Sequence, residues 1–254
     1  MNPSPAAICR ASFLDLEFDR LDKAGAVKAV LALAEGESFA YLVTPNVDHL
    51  VRLHRQRADD RLWSAYRNAD LCLCDSRILK TLARLSNVEL ELVTGSDLTA
   101  TILESAELFE VAGVIGGDEQ LLSDLRARYP AVRWLHHAAP HGIARNLAAQ
   151  LDVARFVEGC SAGLVFFAVG SPQSELICAL ISNRGRAAGV GLCIGASLEF
   201  LTGAKTRAPR WMQNIGLEWL FRLSSEPRRL WRRYLVEGPA IFRFWWRWRV
   251  NSSR

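Results

Sequence analysis

Long apolar runs are missing from this chain. No hydrophobic run approaches the roughly 18 to 20 residues that a bilayer-spanning helix needs, and the opening residues Met-Asn-Pro-Ser-Pro lack the apolar core of a signal peptide. The six cysteines include no Cys-x-x-Cys pair and mostly lie within apolar stretches. We therefore expect a soluble or peripheral cytoplasmic protein with buried free thiols in a reducing compartment.

Zinc-ligand spacing is also missing. The nearest approach to it is the local cluster of His136, His137 and His141, a pattern more typical of a surface turn than of a metal site. The sequence predicts no metal centre.

Charge is distributed unevenly along the chain. The net charge of +4 over 254 residues conceals a basic segment, because residues 205–254 hold 12 Lys and Arg against 3 Glu, a balance of about +9. The remaining residues hold 19 basic and 24 acidic groups. The molecule is therefore acidic to neutral in its body and strongly basic at its carboxyl end.

The basic segment also carries aromatic residues at helical spacing. On a helical wheel, Arg228, Arg229, Arg232 and Arg233 share one direction, and Leu230, Trp231, Tyr234 and Leu235 lie nearly opposite. Such a helix suits an anionic membrane surface or a phosphorylated ligand; a helix packed on the domain with a solvated basic face is the alternative. The following run 242–249, Phe-Arg-Phe-Trp-Trp-Arg-Trp-Arg, favours a partner, because so many large aromatic side chains are costly to leave in water.

Short, nearly continuous apolar segments alternate with helical patterns in the body. This alternation predicts an α/β fold with a Rossmann-like, mostly parallel sheet and helices on both faces, followed by a basic, aromatic helical appendage. The predicted strands cover residues 39–44, 71–75, 111–117, 132–136, 163–170 and 190–195.

Ligands of parallel sheets bind at the carboxyl ends of the strands, where this chain places several polar residues and glycines. Asp75 follows a buried strand and could act as a base with a raised pKa, or only cap the helix that begins near Ser76. Gly116 and Gly117 could approach a phosphate or form a tight turn. The segment Gly170-Ser-Pro-Gln173 could contact a nucleotide or sugar, or only turn the chain, and Thr94 to Asp97 could be a simple helix cap.

A series of motifs, taken in order along the chain, indicates a more specific function than any one motif does. They are Thr44-Pro-Asn46, Asp75, Val93–Leu98, Gly170–Pro172 with Glu175, Ile194–Leu201, Arg207–Gln213, Glu218-Trp219 and Glu226–Tyr234. In this order the series resembles the WecG/TagA/CpsF family of bacterial glycosyltransferases. The resemblance spans nearly the whole chain, and the segment rich in arginine and tryptophan is its most specific part.

The resemblance implies a metal-independent, inverting hexosyl or N-acetylhexosaminyl transferase. The sugar moves from a UDP-sugar, a substrate rather than a cofactor, to a polyprenyl-diphosphate-linked sugar in cell-surface polysaccharide or exopolysaccharide synthesis. It also implies a catalytic domain over 1–204, an appendage over 205–254 that meets membrane and diphosphate, and a peripheral location on the inner face of the plasma membrane.

The resemblance also implies roles for individual residues of this chain. Asp75 matches the catalytic base, and Thr44 and Asn46 match positions that line the sugar pocket. The remaining candidates for substrate contact are Gly116 and Gly117 near the uridine diphosphate, Ser171 and Gln173 after the most apolar strand, and Arg207, Arg210, Arg229 and Arg232 at the diphosphates.

Two positions depart from the family pattern. The family has Pro-Asp-Gly around its base, where this chain has Cys74-Asp75-Ser76, and it has glutamine at the place of Ser174, with Gln173 one position early. Both departures bear on the donor sugar rather than on the class of reaction.

Two other classes of function are alternatives to a glycosyltransferase. A catalytically silent, membrane-associated scaffold on the same fold is the main alternative, motivated by the departures near Asp75 and Ser174. A nucleic-acid-binding role for the basic tail fits poorly with the acidic body, so no nucleic-acid partner is expected. An exposed apolar patch on the appendage could also drive formation of a homo-oligomer.

Overall fold

The protein was analysed as a computed structural model, which describes residues 9–105, 109–140 and 142–252. The central element is a six-stranded sheet in the order β4-β3-β8-β7-β5-β6, and every neighbouring pair is parallel. This confirms the predicted Rossmann-like α/β fold. Its strands are β3 (Phe39–Val43), β4 (Leu71–Cys72), β5 (Val111–Ile115), β6 (Arg133–His137), β7 (Leu164–Phe167) and β8 (Gly189–Cys193).

An antiparallel hairpin precedes the sheet. It pairs β1 (Arg10–Phe13) with β2 (Leu16–Asp19), and its turn residues Leu14 and Asp15 have φ values of 52° and 63°. The hairpin was not predicted, because its turn contains none of the glycine or asparagine residues that signal a tight hairpin. A carboxylate ties it to the sheet: Asp19 Oδ2 accepts a hydrogen bond of 2.7 Å from the Cys72 N–H.

Helices cover both faces of the sheet, as the apolar strands require. The body helices are α1 (Lys23–Ala34), α2 (Val47–Arg55), α3 (Asp60–Arg67), α4 (Arg77–Arg84), α5 (Gly95–Glu104), α6 (Glu119–Arg128), α7 (Leu147–Glu158), α8 (Gln173–Arg184) and α9 (Ser197–Thr202). One apolar core contains side chains of α2, α3, α4, α7 and α8, and the other contains those of α1, α5, α6 and α9. Strand β3 serves both: Phe39, Tyr41 and Val43 enter the first core and Ala40 and Leu42 the second.

The region 47–68 folds as two helices rather than one. Helix α2 ends at Arg55, and Asp59 caps α3 by accepting a hydrogen bond of 3.0 Å from the Leu62 N–H. The residues between the two helices, 56–59, are all exposed and include no large apolar side chain that could bury a continuous helix, so the chain turns there.

The carboxyl-terminal segment is helical and packs on the body. Its helices are α10 (Arg210–Asn214), α11 (Glu218–Ser225), α12 (Pro227–Trp231) and α13 (Ala240–Ser252), with a π-helical segment over Arg232–Glu237. Helix α13 lies against the first core through Ile241, Phe244, Trp245 and Trp248, and Trp245 Nε1 donates a 2.8 Å hydrogen bond to Ser86 Oγ.

The π-helical segment explains why the helical wheel was wrong. In it the Gly238 N–H donates to the Arg233 carbonyl, an i to i+5 bond, at 2.8 Å. The wider turn shifts the angular positions of the residues that follow. Leu230 is buried as predicted, but Leu235 is 55% exposed and Arg233 turns inward. Trp231, which precedes the wider turn, is 51% exposed although the wheel placed it on the apolar face.

No helix within the described ranges is both long and apolar enough to cross a membrane. All six cysteines are free, and Cys72, Cys74, Cys178 and Cys193 are buried, which confirms the expectation for these four.

Candidate functional site

A crevice opens at the carboxyl ends of β3 and β8. Helix α2, which follows β3, packs in the first core, whereas α9, which follows β8, packs in the second. Two neighbouring strands whose connections leave toward opposite faces create the crevice in which parallel sheets bind ligands. Thr44, Asp75 and Gly95 lie there.

Asp75 is fixed by backbone contacts on both sides. Its N–H donates a 3.1 Å hydrogen bond to the Pro45 carbonyl, just beyond β3. Its carboxylate accepts a hydrogen bond from the Gly95 N–H in the first turn of α5, so it faces the positive end of that helix. The helix that begins near Ser76 has its own cap, because Ser76 Oγ accepts from the Leu79 N–H at 3.3 Å. Asp75 is therefore not the cap of α4.

Burial raises the pKa of Asp75 to about 7. Arg222 opposes this shift, the nearby Glu218 carboxylate adds to it, and the Gly95 hydrogen bond and Arg207 oppose it further. A carboxylate with this pKa is substantially ionised at neutral pH and still basic enough to accept a proton from a hydroxyl group.

Two arginines of the carboxyl-terminal segment converge near Asp75. Arg207 Nη1 donates to Asp97 Oδ1 at 2.6 Å, and its Nη2 lies 3.4 Å from Thr94 Oγ1. Arg222 pairs with Glu218 at 2.6 Å, and its guanidinium lies 4.9 Å from the centre of the Phe200 ring. The Nε atoms of both arginines are buried and have no hydrogen-bond acceptor among the described residues. Two partly buried cations with free donor atoms beside a helix N-terminus can hold a diphosphate.

Thr44 and Asn46 lie at the end of β3 as predicted, and the side chain of each forms a hydrogen bond with a backbone group. Thr44 Oγ1 donates to the Cys193 carbonyl at 3.2 Å, which links the ends of β3 and β8. Asn46 Oδ1 caps α2 by accepting from Asp48 N–H at 3.0 Å. Thr44 lies beside Gly95, because a Cβ added to Gly95 would lie 3.4 Å from Thr44 Oγ1.

Ser171 and Gln173 follow β7 at the same edge of the sheet. Ser171 Oγ accepts a 2.9 Å hydrogen bond from Arg52 Nη1 and lies 3.0 Å from the Tyr66 hydroxyl. Gln173 Oε1 is buried without a donor among the described residues. Ser174, which stands where the family has glutamine, turns its hydroxyl to the Gly170 carbonyl at 3.0 Å.

Gly116 and Gly117 end β5 with φ values of 84° and 75°. A side chain at either position would collide with a neighbour, since an added Cβ would lie 2.6 Å from Val169 Cγ1 or 2.5 Å from Leu121 Cδ2. Strand β5 stands two places from β8 and three from β3 in the sheet, roughly 10 to 14 Å at the usual strand spacing. One ligand reaches both Asp75 and this turn only if it is extended.

Of the four arginines predicted at the diphosphates, Arg207 is a charge that acts on the pKa of Asp75, and the other three are exposed. Arg229 pairs with Glu226, and Arg232 pairs with Glu237 at 3.2 Å; their side chains are 60% and 73% exposed. Arg210 is exposed at the start of α10. Arg222 was not predicted as a site residue, although its spacing of four residues from Glu218 signals an ion pair on one helix face.

The residues that the structure describes contain no group of three His, Cys, Asp or Glu side chains arranged to hold a metal ion. His136 Nε2 lies 3.1 Å from the Gly116 carbonyl, and His137 Nε2 lies 3.1 Å from Asp152 Oδ2. His141 lies outside the described residues.

A comparison with known protein families agrees with this geometry. The model of the family described as glycosyl transferase WecG/TagA/CpsF matches residues 11–254, nearly the whole chain. The chain therefore belongs to the WecG/TagA/CpsF family of glycosyltransferases.

Proposed function

We propose that this glycosyltransferase moves a hexosyl or N-acetylhexosaminyl group from a UDP-sugar to a polyprenyl-diphosphate-linked sugar, with inversion and without a metal ion. The observation that carries the proposal is Asp75, a partly buried carboxylate whose pKa is raised to about 7 and which lies among Arg207, Arg222 and the first turn of α5. A base and a set of cations at one edge of a parallel sheet are the parts that a displacement with a diphosphate leaving group needs.

The chemical step follows from this arrangement. The Asp75 carboxylate takes the proton of the acceptor hydroxyl as its oxygen attacks the anomeric carbon from the side opposite UDP. The new C–O bond forms while the bond to the β-phosphate oxygen breaks, and the electron pair leaves on UDP. One displacement of this kind inverts the anomeric centre.

Arg207 and Arg222 stabilise the negative charge that develops on the departing diphosphate. Their present partners are the carboxylates Asp97 and Glu218, whose oxygens stand in the structure where phosphate oxygens could bind. Cations that are already oriented need little rearrangement during the reaction, which makes their electrostatic contribution large.

The exposed side chains of the carboxyl-terminal segment support the proposal that the acceptor is bound to a membrane. Eleven large hydrophobic side chains are exposed in the described part of the chain, and nine of them lie between Trp211 and Val250. On α13, Phe242, Trp246 and Val250 follow one another at intervals of four residues and therefore share a helix face. Apolar and aromatic residues flanked by arginines are typical of helices that lie in the headgroup region of a bilayer.

The test is transfer from a panel of UDP-sugars (N-acetylmannosamine, N-acetylglucosamine, glucose, glucuronate) to short polyprenyl-diphosphate acceptors that carry glucose or N-acetylglucosamine, in the presence of EDTA. We expect turnover with one donor and a product of inverted anomeric configuration by NMR. Absence of turnover with every pair, for folded protein that binds vesicles, would favour the silent scaffold.

A further inference from the structure

A second group of cations lies on the other side of the sheet from Arg207. Asp48 Oδ2 accepts from Arg52 Nη2 at 2.9 Å and lies 3.2 Å from Arg233 Nη2. Two guanidinium groups thus share one carboxylate, which leaves an excess of one positive charge. The three side chains are only 15%, 27% and 32% exposed, so water screens this excess less than it would at the surface.

The two arginines come from different parts of the chain. Arg52 and Asp48 are four residues apart on α2 and face the same side of that helix. Arg233 belongs to the π-helical segment, whose wide turn directs it toward α2. Single π-turns within helices are frequent at functional sites, and here the turn brings a cation of the appendage to the edge of the sheet.

A buried hydrogen-bond network holds Arg52 in place. Its Nη1 donates to Ser171 Oγ, which lies 3.0 Å from the Tyr66 hydroxyl, and that hydroxyl donates to Glu175 Oε1 at 3.0 Å. Glu175 is 1% exposed, and its other oxygen has no donor among the described residues. A cation oriented in this way is available to a ligand without a large loss of side-chain entropy.

The buried side chain of His49 lies within the electrostatic reach of both cations. Burial lowers its pKa well below the ordinary value, and Arg52 and then Arg233 lower it further. The neutral imidazole adds no charge of its own. Its Nδ1 is buried without a hydrogen-bond partner among the described residues and lies 3.8 Å from Glu175 Oε1.

Space for an anion adjoins the pair. A cavity of about 180 Å³ is lined by Asp48, Arg52, Arg55 and Glu237, among others. It is smaller than the roughly 300 to 1,000 Å³ of a pocket for a whole ligand, and it suits one charged group of a larger molecule. Counted together with Arg233 and Arg232, which pair with Asp48 and Glu237, the walls hold four guanidinium groups against two carboxylates. The surplus is two positive charges.

The two arginine groups lie on opposite faces of the sheet. Arg207 contacts α5 in the second core, whereas Arg52 belongs to α2 in the first. The Pro45 carbonyl that accepts from the Asp75 N–H precedes Asp48 by three residues. A transfer between two diphosphate-bearing substrates brings two strongly anionic groups to one base, and each needs cations of its own.

We propose that Arg52 and Arg233, joined through Asp48 and fixed by Ser171, form a second diphosphate-binding subsite, separate from Arg207 and Arg222. That its ligand is a substrate diphosphate rests on the proposed function. The chemistry of the subsite is shared by the two sources, the UDP of the donor and the polyprenyl diphosphate of the acceptor.

The test is calorimetric titration of the full-length protein with UDP and, separately, with farnesyl diphosphate. The variants are Arg52→Gln and Arg233→Gln, and the control is Arg61→Gln, which removes the same charge from an exposed position on α3. Because hydrogen bonds to charged groups contribute about 1.5 to 3 kcal/mol, we expect each subsite variant to lose about tenfold or more in affinity for at least one ligand. The control should change by less than about twofold.

The outcomes separate the two sources. A loss of affinity for UDP alone assigns the subsite to the donor. A loss of affinity for farnesyl diphosphate alone assigns it to the acceptor. Unchanged affinity for both ligands, or no diphosphate binding by the wild type, would overturn the proposal. A network that only docks the appendage would lower the melting temperature and leave the affinity of the folded protein intact, which also overturns it.

Arg52→Lys and Arg233→Lys cover the case in which a glutamine variant does not fold. They keep the charge but lose the forked geometry, so we expect a smaller loss of affinity in the same ligand. Sugar transfer is measured separately. A wild type that binds diphosphates through this subsite but transfers no sugar contradicts the proposed function and not the subsite.

Discussion

The backbone N–H of Gly95 donates a hydrogen bond to the carboxylate of Asp75. The same glycine has no spare room on its other side, because an added Cβ would lie 3.3 Å from Ser197 Oγ and 3.4 Å from Thr44 Oγ1. Gly95 therefore links the proposed base to the ends of β3 and β8, and its position sets where the carboxylate stands.

Gly95→Ala tests this link. The methyl group would push Thr44, Ser197 or α5 by a few tenths of an ångström, and small misplacements at a reacting group are costly. We expect kcat to fall about tenfold, while thermal stability changes little because alanine is the better helix former. Gly159→Ala at the end of α7 is the matched control, since its added Cβ meets only ordinary contacts at 3.6 Å or more. Equal kcat values for both variants would contradict the link.

The rate of transfer should depend on pH through Asp75, whose pKa burial raises to about 7. Only the ionised carboxylate accepts a proton, so kcat/KM should fall about tenfold per pH unit below pH 7 and level off above it. Glu175 also has a pKa raised to about 7 by burial, so Glu175→Gln is the control and should keep the same profile. A rate that stays constant from pH 5 to pH 8 would contradict the assignment of Asp75.

The ionisation of Asp75 should lower the folding stability of the protein, whereas it raises the rate of transfer. Its pKa in the folded protein lies above the ordinary value of 3.8, so ionisation costs folding free energy that grows as the pH rises from about 4 to about 7. Asp75→Asn removes this cost. We expect the variant to melt about 2 to 4 °C higher at pH 8, equivalent to about 1 kcal/mol, and the gain to disappear near pH 4. A melting temperature below that of the wild type at pH 8 would mean that the ionised carboxylate stabilises the fold.

The exposed face of α13 should mediate binding to anionic vesicles. Phe242 and Trp246 are 53% and 62% exposed, so replacing both by serine should leave the fold unchanged. Burying large apolar side chains contributes about 1.5 to 3 kcal/mol each, and we expect the double variant to bind at least tenfold more weakly in vesicle sedimentation. Leu147→Ser, at a residue that is 59% exposed on α7, should bind like the wild type. Equal binding by all three proteins would place the membrane contact elsewhere.

The arrangement of strands was predictable because the strands are nearly continuous apolar runs, and such runs must be buried on both faces. Asp75 could be proposed from its place at the end of such a run. Its hydrogen bond to Gly95 could not, because it depends on the order of strands in the sheet and on where α5 begins.

The arginines show where inference from sequence alone ends. A helical wheel assumes a constant turn, and the π-turn after Trp231 breaks that assumption by directing Arg233 inward. Likewise, Arg222 acts on the pKa of Asp75 from a position over the Phe200 ring of α9, a contact between distant parts of the chain that helical spacing does not reveal. Pairing across the fold, as between Asp48 and Arg233, leaves no periodic signal in the chain.

The most direct test of the account compares kcat/KM for sugar transfer by the wild type and by Asp75→Asn at pH 8, with Asp60→Asn on the exposed surface of α3 as the matched control. Removal of a general base predicts a loss on the order of 100-fold or more in Asp75→Asn, together with unchanged activity in Asp60→Asn. Transfer by folded Asp75→Asn at a rate close to that of the wild type would contradict the central claim that Asp75 is the base.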